Sequence, residues 1–224
     1  DGGAQRLIRF LSLHTCDGGQ LMLDPTVADA EAARHTLREA LKLLQGSPAD
    51  APWAEVATRL RGLGLEPGWG DTVARTRETL ELLQDLLEAP DPTTLERFLA
   101  RIPMMFNVVI LSPHGYFAQS NVMGLPDTGG QVVYILDQVR ALEHEIRNRL
   151  VRQGVDYDPQ ILVVTRLIPE AGPTTCNQRT ESISGTRNAR ILRVPFRSDT
   201  GEVIPEWISR FEVWPYIERF ALEA

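Results

Sequence analysis

Through residues 1–102 the apolar side chains recur every three or four positions, the spacing of one helix face, and after Pro103 they gather into short β-branched runs. Asp24-Pro25 reads as an N-cap with proline at the first helical position, opening a helix that carries Val27, Leu37, Leu41 and Leu44 and stops at Gly46. A shorter helix holds Trp53, Val56, Leu60 and Leu63 and ends near Gly64. Asp71 is positioned to cap a third, with Val73, Leu80, Leu83 and Leu87 on one stripe, and Pro90 ends it. Asp91-Pro92 then begins a fourth, which closes near Ala100. Nothing in this half has the convergent polar groups of an active site, so its Leu and Trp positions are read as core.

The second half has a different rhythm. Phe106 to Leu111 is short, β-branched and bounded by Pro113, as expected of a strand covered on both faces. Gln131 to Leu150 presents Val132, Ile135, Leu136, Val139, Leu142 and Ile146 at helical spacing. Gln160 to Thr165 and Arg190 to Pro195 read as two further buried strands, and residues 206–224 as a last helix dense in aromatics. Strand, helix and strand within about sixty residues make a βαβ unit with parallel strands and a right-handed crossover. The fold class is therefore α/β. An all-helical region, 1–102, precedes the first part of a Rossmann-like parallel-sheet domain, 103–224, expected to be incomplete at its C-terminal end.

Composition narrows the partners. A chain of 224 residues suits one large domain or two small ones, and 43% apolar with 24% charged residues is ordinary for a globular protein. The net charge of −7 argues against a general polyanion surface, so no nucleic-acid partner is expected. No apolar run approaches the ~20 residues needed to cross a bilayer. The start Asp1-Gly-Gly has neither Met nor a signal-peptide core, and the end falls inside a helical pattern, which suggests an incomplete chain. Cys16 and Cys176 lie in unrelated segments without metal-type spacing, and two reduced thiols in a cytoplasmic protein are expected.

Chemistry concentrates where the first strand ends. Ser112-Pro-His-Gly-Tyr-Phe117 and, a short loop later, Asp127-Thr-Gly-Gly-Gln-Val-Val-Tyr134 lie between the strand and the long helix. Ligands of parallel sheets sit beyond the carboxyl ends of the strands, and a helix N-terminus there offers unpaired N–H groups to negative charge. Gly129 and Gly130 let a ligand approach the backbone, and Gln131 adds an amide at the same spot. His114 can hydrogen-bond a sugar hydroxyl or exchange a proton near neutral pH. Arg210, among aromatics, reads by itself as a structural ion pair, and Asp127 as a residue that caps the helix or orders the loop. Glu143, Glu145, Arg147 and Arg149 read as a solvated helix face, and His14, His35 and His144 as surface or packing residues on helical stretches. The fingerprint G-x-G-x-x-G is missing, because Gly130 is followed by Gln-Val-Val-Tyr, which counts against a hydride-transfer enzyme. No nucleophile–base set, paired-carboxylate set or metal cluster emerges.

Asn107 to Gln119 and Gly124 to Glu143 together resemble the sucrose synthase family. The likeness continues through Val164 to Pro169, Thr174 to Cys176, Ile191 to Arg197 and Trp207 to Tyr216. Upstream it includes Gly64 to Asp71 and Leu86 to Pro92. The resemblance implies the first half of a GT-B fold in a retaining glycosyltransferase. Such an enzyme reversibly converts sucrose and a nucleoside diphosphate (UDP or ADP) into nucleoside-diphosphate-glucose and fructose, with no cofactor or metal. By that likeness Gly129 and Gly130 would approach the nucleotide's phosphates and the transferred glucose. His114, Gln131 and Arg210 would hold fructose. It also implies a homotetramer, and because residues 1–102 carry no site-like residues they are expected to serve regulation or assembly. Residues for the phosphates, donor sugar and ribose would lie on a second Rossmann domain outside this chain, so these residues alone are expected to be inactive. Two alternatives stay open: a sucrose-phosphate synthase-like transferase, which shares the Asp-Thr-Gly-Gly-Gln core, and a non-catalytic helical interaction module with a degenerate sugar-binding domain.

Overall fold

In the computed structural model, which describes residues 2–224, the helical pattern upstream of Pro103 folds as α1 (Gly2–Ser12), α2 (Ala30–Gln45), α3 (Trp53–Arg61), α4 (Val73–Glu88) and α5 (Pro92–Leu99). One unit runs through Met104 and includes Asn148–Tyr157; the other is Met105–Arg147 with Asp158–Ala224. In the first, Val73, Leu80, Leu83 and Leu87 of α4 are buried as the stripe predicts. Trp69 is fully buried, and its indole N–H donates to the Met22 carbonyl at 3.0 Å.

Two helix starts differ from the sequence reading. Asp24 does not open α2. Its Oδ1 accepts from the N–H and hydroxyl of Thr26 at 2.8 and 2.6 Å, and its own N–H donates to Gly64, which holds a turn instead. Asp29 is the cap, taking the N–H groups of Glu31 and Ala32. Likewise Thr72, not Asp71, caps α4 through the Arg75 N–H. Asp91-Pro92 opens α5 as expected. The region is also not purely helical. β1 (Thr15–Cys16) and β2 (Gly19–Gln20) form a small antiparallel hairpin, turned by Asp17 and Gly18 at positive φ.

The second unit holds β3 (Asn107–Ser112), α6 (Gly129–Arg152) as far as Arg147, β4 (Gln160–Leu167), β5 (Thr180–Ser182), β6 (Ala189–Pro195) and α7 (Ile217–Glu223). The sheet order is β3-β4-β6-β5; β3, β4 and β6 are parallel and β5 is antiparallel to β6. One face packs Val108, Ile110, Ile161, Val163 and Ile191 against Val132, Ile135, Leu136 and Val139 of α6. On the other face Val164, Val194 and Phe196 meet Phe220 of α7.

Three further expectations are corrected here. β3 is an edge strand covered on one face only: Val109 and Leu111 are 58% and 64% exposed, because the cluster around α7 covers β4 and β6 and not β3. Residues 206–213 are not helical. The Arg210 N–H, which a helix would use internally, donates to Asp127, and Ser209 closes a turn with Glu212, so helix begins only with a 3₁₀ turn at Trp214–Tyr216. Glu143 is not on a solvated face. It is buried, and its two oxygens accept from the N–H groups of Arg187 and Asn188 at 2.7 and 2.6 Å, in the turn that leads into β6.

Candidate functional site

β3 delivers Ser112 at its inward-facing end and then releases the chain into the loop of His114. The loop reverses at Gly115, whose φ is +79°, and its Cα lies so close to the Asp127 carbonyl that any Cβ would strike backbone. Only glycine fits there, which binds the histidine loop to the loop before α6. Asp127 is itself left-handed, with φ +55°. Thr128 is buried and points its hydroxyl inward at the carbonyls of Val122 and Leu125. That hydroxyl is therefore not turned back to cap α6. The helix starts at Gly129, where the first N–H groups of any helix lack a partner within it, and a Cβ built on Gly129 or Gly130 would meet nothing within 4 Å.

These groups border a cavity of about 420 Å³. All five residues singled out in the sequence, His114, Gly129, Gly130, Gln131 and Arg210, line it, with Leu125, Asp127 and Thr128 completing the wall. His114 Nε2 lies 3.3 Å from Gln131 Oε1, and the Gln131 amide N–H donates to Ser112 Oγ at 3.3 Å. The imidazole is thus held by a side chain rather than by backbone carbonyls. Arg210 reaches the rim from the segment before α7. Its backbone N–H donates to Asp127 Oδ2 at 3.0 Å, Nε stands 3.7 Å from Oδ1, and the guanidinium lies over the Phe211 ring. An apolar hollow of about 310 Å³ adjoins, sharing His114 and Arg210 and walled by Phe211, Trp214 and Ile217.

A buried polar clamp backs the histidine loop. Arg193 of β6, fully buried, donates from Nε and Nη2 to the Phe117 carbonyl at 3.3 and 2.9 Å, from Nη1 to Gln178, and from Nη2 to Glu181 at 2.5 Å. Burial raises the Glu181 pKa, but bonds from Thr175, Arg193 and Gln119 together outweigh it and hold the carboxyl below its usual value. On the opposite face Arg166 of β4 is buried above the Phe196 ring and donates to the Glu206 carbonyl, four residues before Arg210. Burial lowers its pKa to about 10, against the opposing pull of Glu206, Tyr116 and Tyr216, so it stays charged at neutral pH.

Sequence reasoning gave Ser112 no role and Asp127 only an ordering one. The signal for Ser112 was the alternation of β3, which turns Ser112 to the covered face. Chemically, the site offers hydrogen-bond donors and acceptors around open space at a helix N-terminus, suited to hydroxyls and to an anion. Among the described residues no three His, Cys, Asp or Glu side chains gather as metal ligands, and no described helix is long and apolar enough to cross a membrane.

A family model described as the first GT-B domain of sucrose synthase matches residues 93–224, and one described as the sucrose synthase EPBD domain matches residues 1–71. The chain is 57% identical over 221 residues to a sucrose synthase of Nitrosomonas europaea, covering 99% of this chain and 28% of that protein. It is 56% identical over 214 residues to sucrose synthase 1 of Zea mays, covering 96% of this chain and 27% of the relative. With sucrose synthase 2 of Arabidopsis thaliana it shares 55% over 218 residues, covering 97% and 27%. The chain thus spans little more than a quarter of the length of these relatives.

Proposed function

The chain belongs to the sucrose synthase family, and we propose that within a longer protein it forms the acceptor side of a retaining glucosyltransferase that interconverts sucrose plus a nucleoside diphosphate with nucleoside-diphosphate-glucose plus fructose. Gly129 and Gly130 approach the diphosphate and the glucose being transferred, while His114, Gln131 and Arg210 hold fructose. In the synthetic direction a fructose hydroxyl attacks the anomeric carbon from the face the diphosphate leaves. Its proton passes to a leaving phosphate oxygen, so configuration is kept. The chain's contribution is to orient the acceptor and to stabilise charge on that phosphate through helix N–H groups. The nucleotide is UDP or ADP, and no metal is required. We further propose a cytoplasmic homotetramer whose assembly uses residues 1–102.

What supports this reading most is a helix N-terminus whose glycines open onto a cavity that also holds an imidazole, a carboxamide and a guanidinium. The test is turnover by the full-length protein. Sucrose with UDP or ADP should yield equal amounts of fructose and the nucleotide-sugar, with the α-configuration retained. No product with either nucleotide would sink the proposal, and preference for a phosphorylated ketose as acceptor would favour the sucrose-phosphate synthase-like alternative.

A further inference from the structure

We infer that Asp127 is a positioning residue that sets affinity for the acceptor ketose by holding Arg210 at the cavity rim, an inference that rests on the acceptor-side reading above. Beside its stacking on Phe211, Arg210 has two polar contacts, and both end on this one carboxylate. Oδ2 takes the backbone N–H at 3.0 Å, which fixes where the residue leaves its loop, and Oδ1 faces Nε at 3.7 Å, an ion pair that draws the guanidinium toward Asp127. The carboxylate side chain is only 16% exposed, whereas that of Arg210 is 59% exposed. Among the described residues no protein group accepts from the Nη atoms of Arg210, so that edge is available to ligand hydroxyls.

The pair is a poor source of stability: an exposed arginine 3.7 Å from its partner is worth about 1 kcal/mol or less. Asp127 nonetheless adopts φ +55°, a conformation that costs a non-glycine residue energy, and its carbonyl is the surface against which Gly115 closes. The strained residue therefore joins the histidine loop, the start of α6 and the arginine segment. A carboxylate beside a helix N-terminus would repel a phosphate if it were free. Paired with Arg210 it leaves that wall near neutral and assigns the arginine to the uncharged acceptor.

A double-mutant cycle in the full-length protein tests this, with kcat and KM measured for fructose and for the nucleotide-sugar. Asp127→Asn should raise KM for fructose about tenfold, the equivalent of one charge-assisted hydrogen bond. KM for the nucleotide-sugar and kcat should stay within about twofold. In an Arg210→Ala background the same substitution should add little, because the residue through which it acts is gone. An equal loss in both backgrounds, or a rise in nucleotide-sugar KM matching that for fructose, would overturn the inference and make Asp127 a general loop fastener. Arg210→Ala with unchanged fructose KM would instead sink the acceptor-side reading itself. Asp127→Glu, which keeps charge but displaces the carboxylate, should show the same selective rise and serves if the Asn variant does not fold.

Discussion

Gly115 and Asp127 meet backbone to backbone: the glycine turns at φ +79° and leaves no space where a Cβ would point, because the aspartate carbonyl stands there. Gly115→Ala must therefore separate two loops as well as accept a left-handed φ, which alone costs roughly 1–2 kcal/mol. Thermal unfolding of the full-length protein should show a lower midpoint, and KM for both substrates should rise together. An unchanged midpoint would mean the contact yields more easily than backbone should.

Gly130 is the contrasting case. It borders open space, and it sits in a helix where alanine is favoured over glycine by about 1 kcal/mol. Gly130→Ala should leave the unfolding midpoint unchanged or slightly higher while weakening nucleotide binding about tenfold or more. A variant both stable and fully active would show that no ligand comes close to this backbone.

The Glu181–Arg193 pair gives a pH prediction with a definite sign. The folded-state pKa of Glu181 is depressed, so its stabilisation is present above the unfolded value of about 4.3 and is lost as pH falls through the folded value. Glu181→Gln should destabilise the protein by about 3 kcal/mol at pH 7, since it strands a buried guanidinium. The gap to wild type should shrink below about pH 4. Urea midpoints at pH 7 and pH 4 measure this directly, and a constant gap would refute it.

Residues 2–224 alone should turn over neither sucrose with UDP or ADP nor the reverse pair, in an assay that detects fructose release or sucrose formation. By the proposed function, further groups for the phosphates, the donor sugar and the ribose would be supplied from outside these residues. Any nucleotide-dependent turnover by the isolated chain would contradict this.

Periodicity made much of this architecture readable. The α4 and α6 stripes repeat the spacing of a helix face, and the runs at β4 and β6 are short, apolar and β-branched, as buried strands are. Helix starts were harder, because Asp24 and Asp29 are equally good caps in isolation. What decides between them is a tertiary bond, from the Asp24 N–H to Gly64. The solvated reading of Glu143 failed for a similar reason: its partners are backbone amides 44 and 45 residues away, invisible to any local pattern. Residues 206–213 look helical by composition and are drawn out of that state by the bond from Arg210 to Asp127. The site residues were legible because they cluster at one strand end. Their mutual support was not, since Ser112, Asp127, Arg166 and Arg193 act through contacts that only folding brings about.

β3 has one more consequence, for anyone handling residues 2–224 on their own. Its outer rim carries unpaired peptide groups along a row flanked by Val109 and Leu111, with no charge, proline or bulge to discourage another extended chain. Left uncovered, that rim invites self-association and turbid preparations. A lysine at position 109 or 111 should keep such samples clear by light scattering without disturbing the hydrophobic side that faces α6.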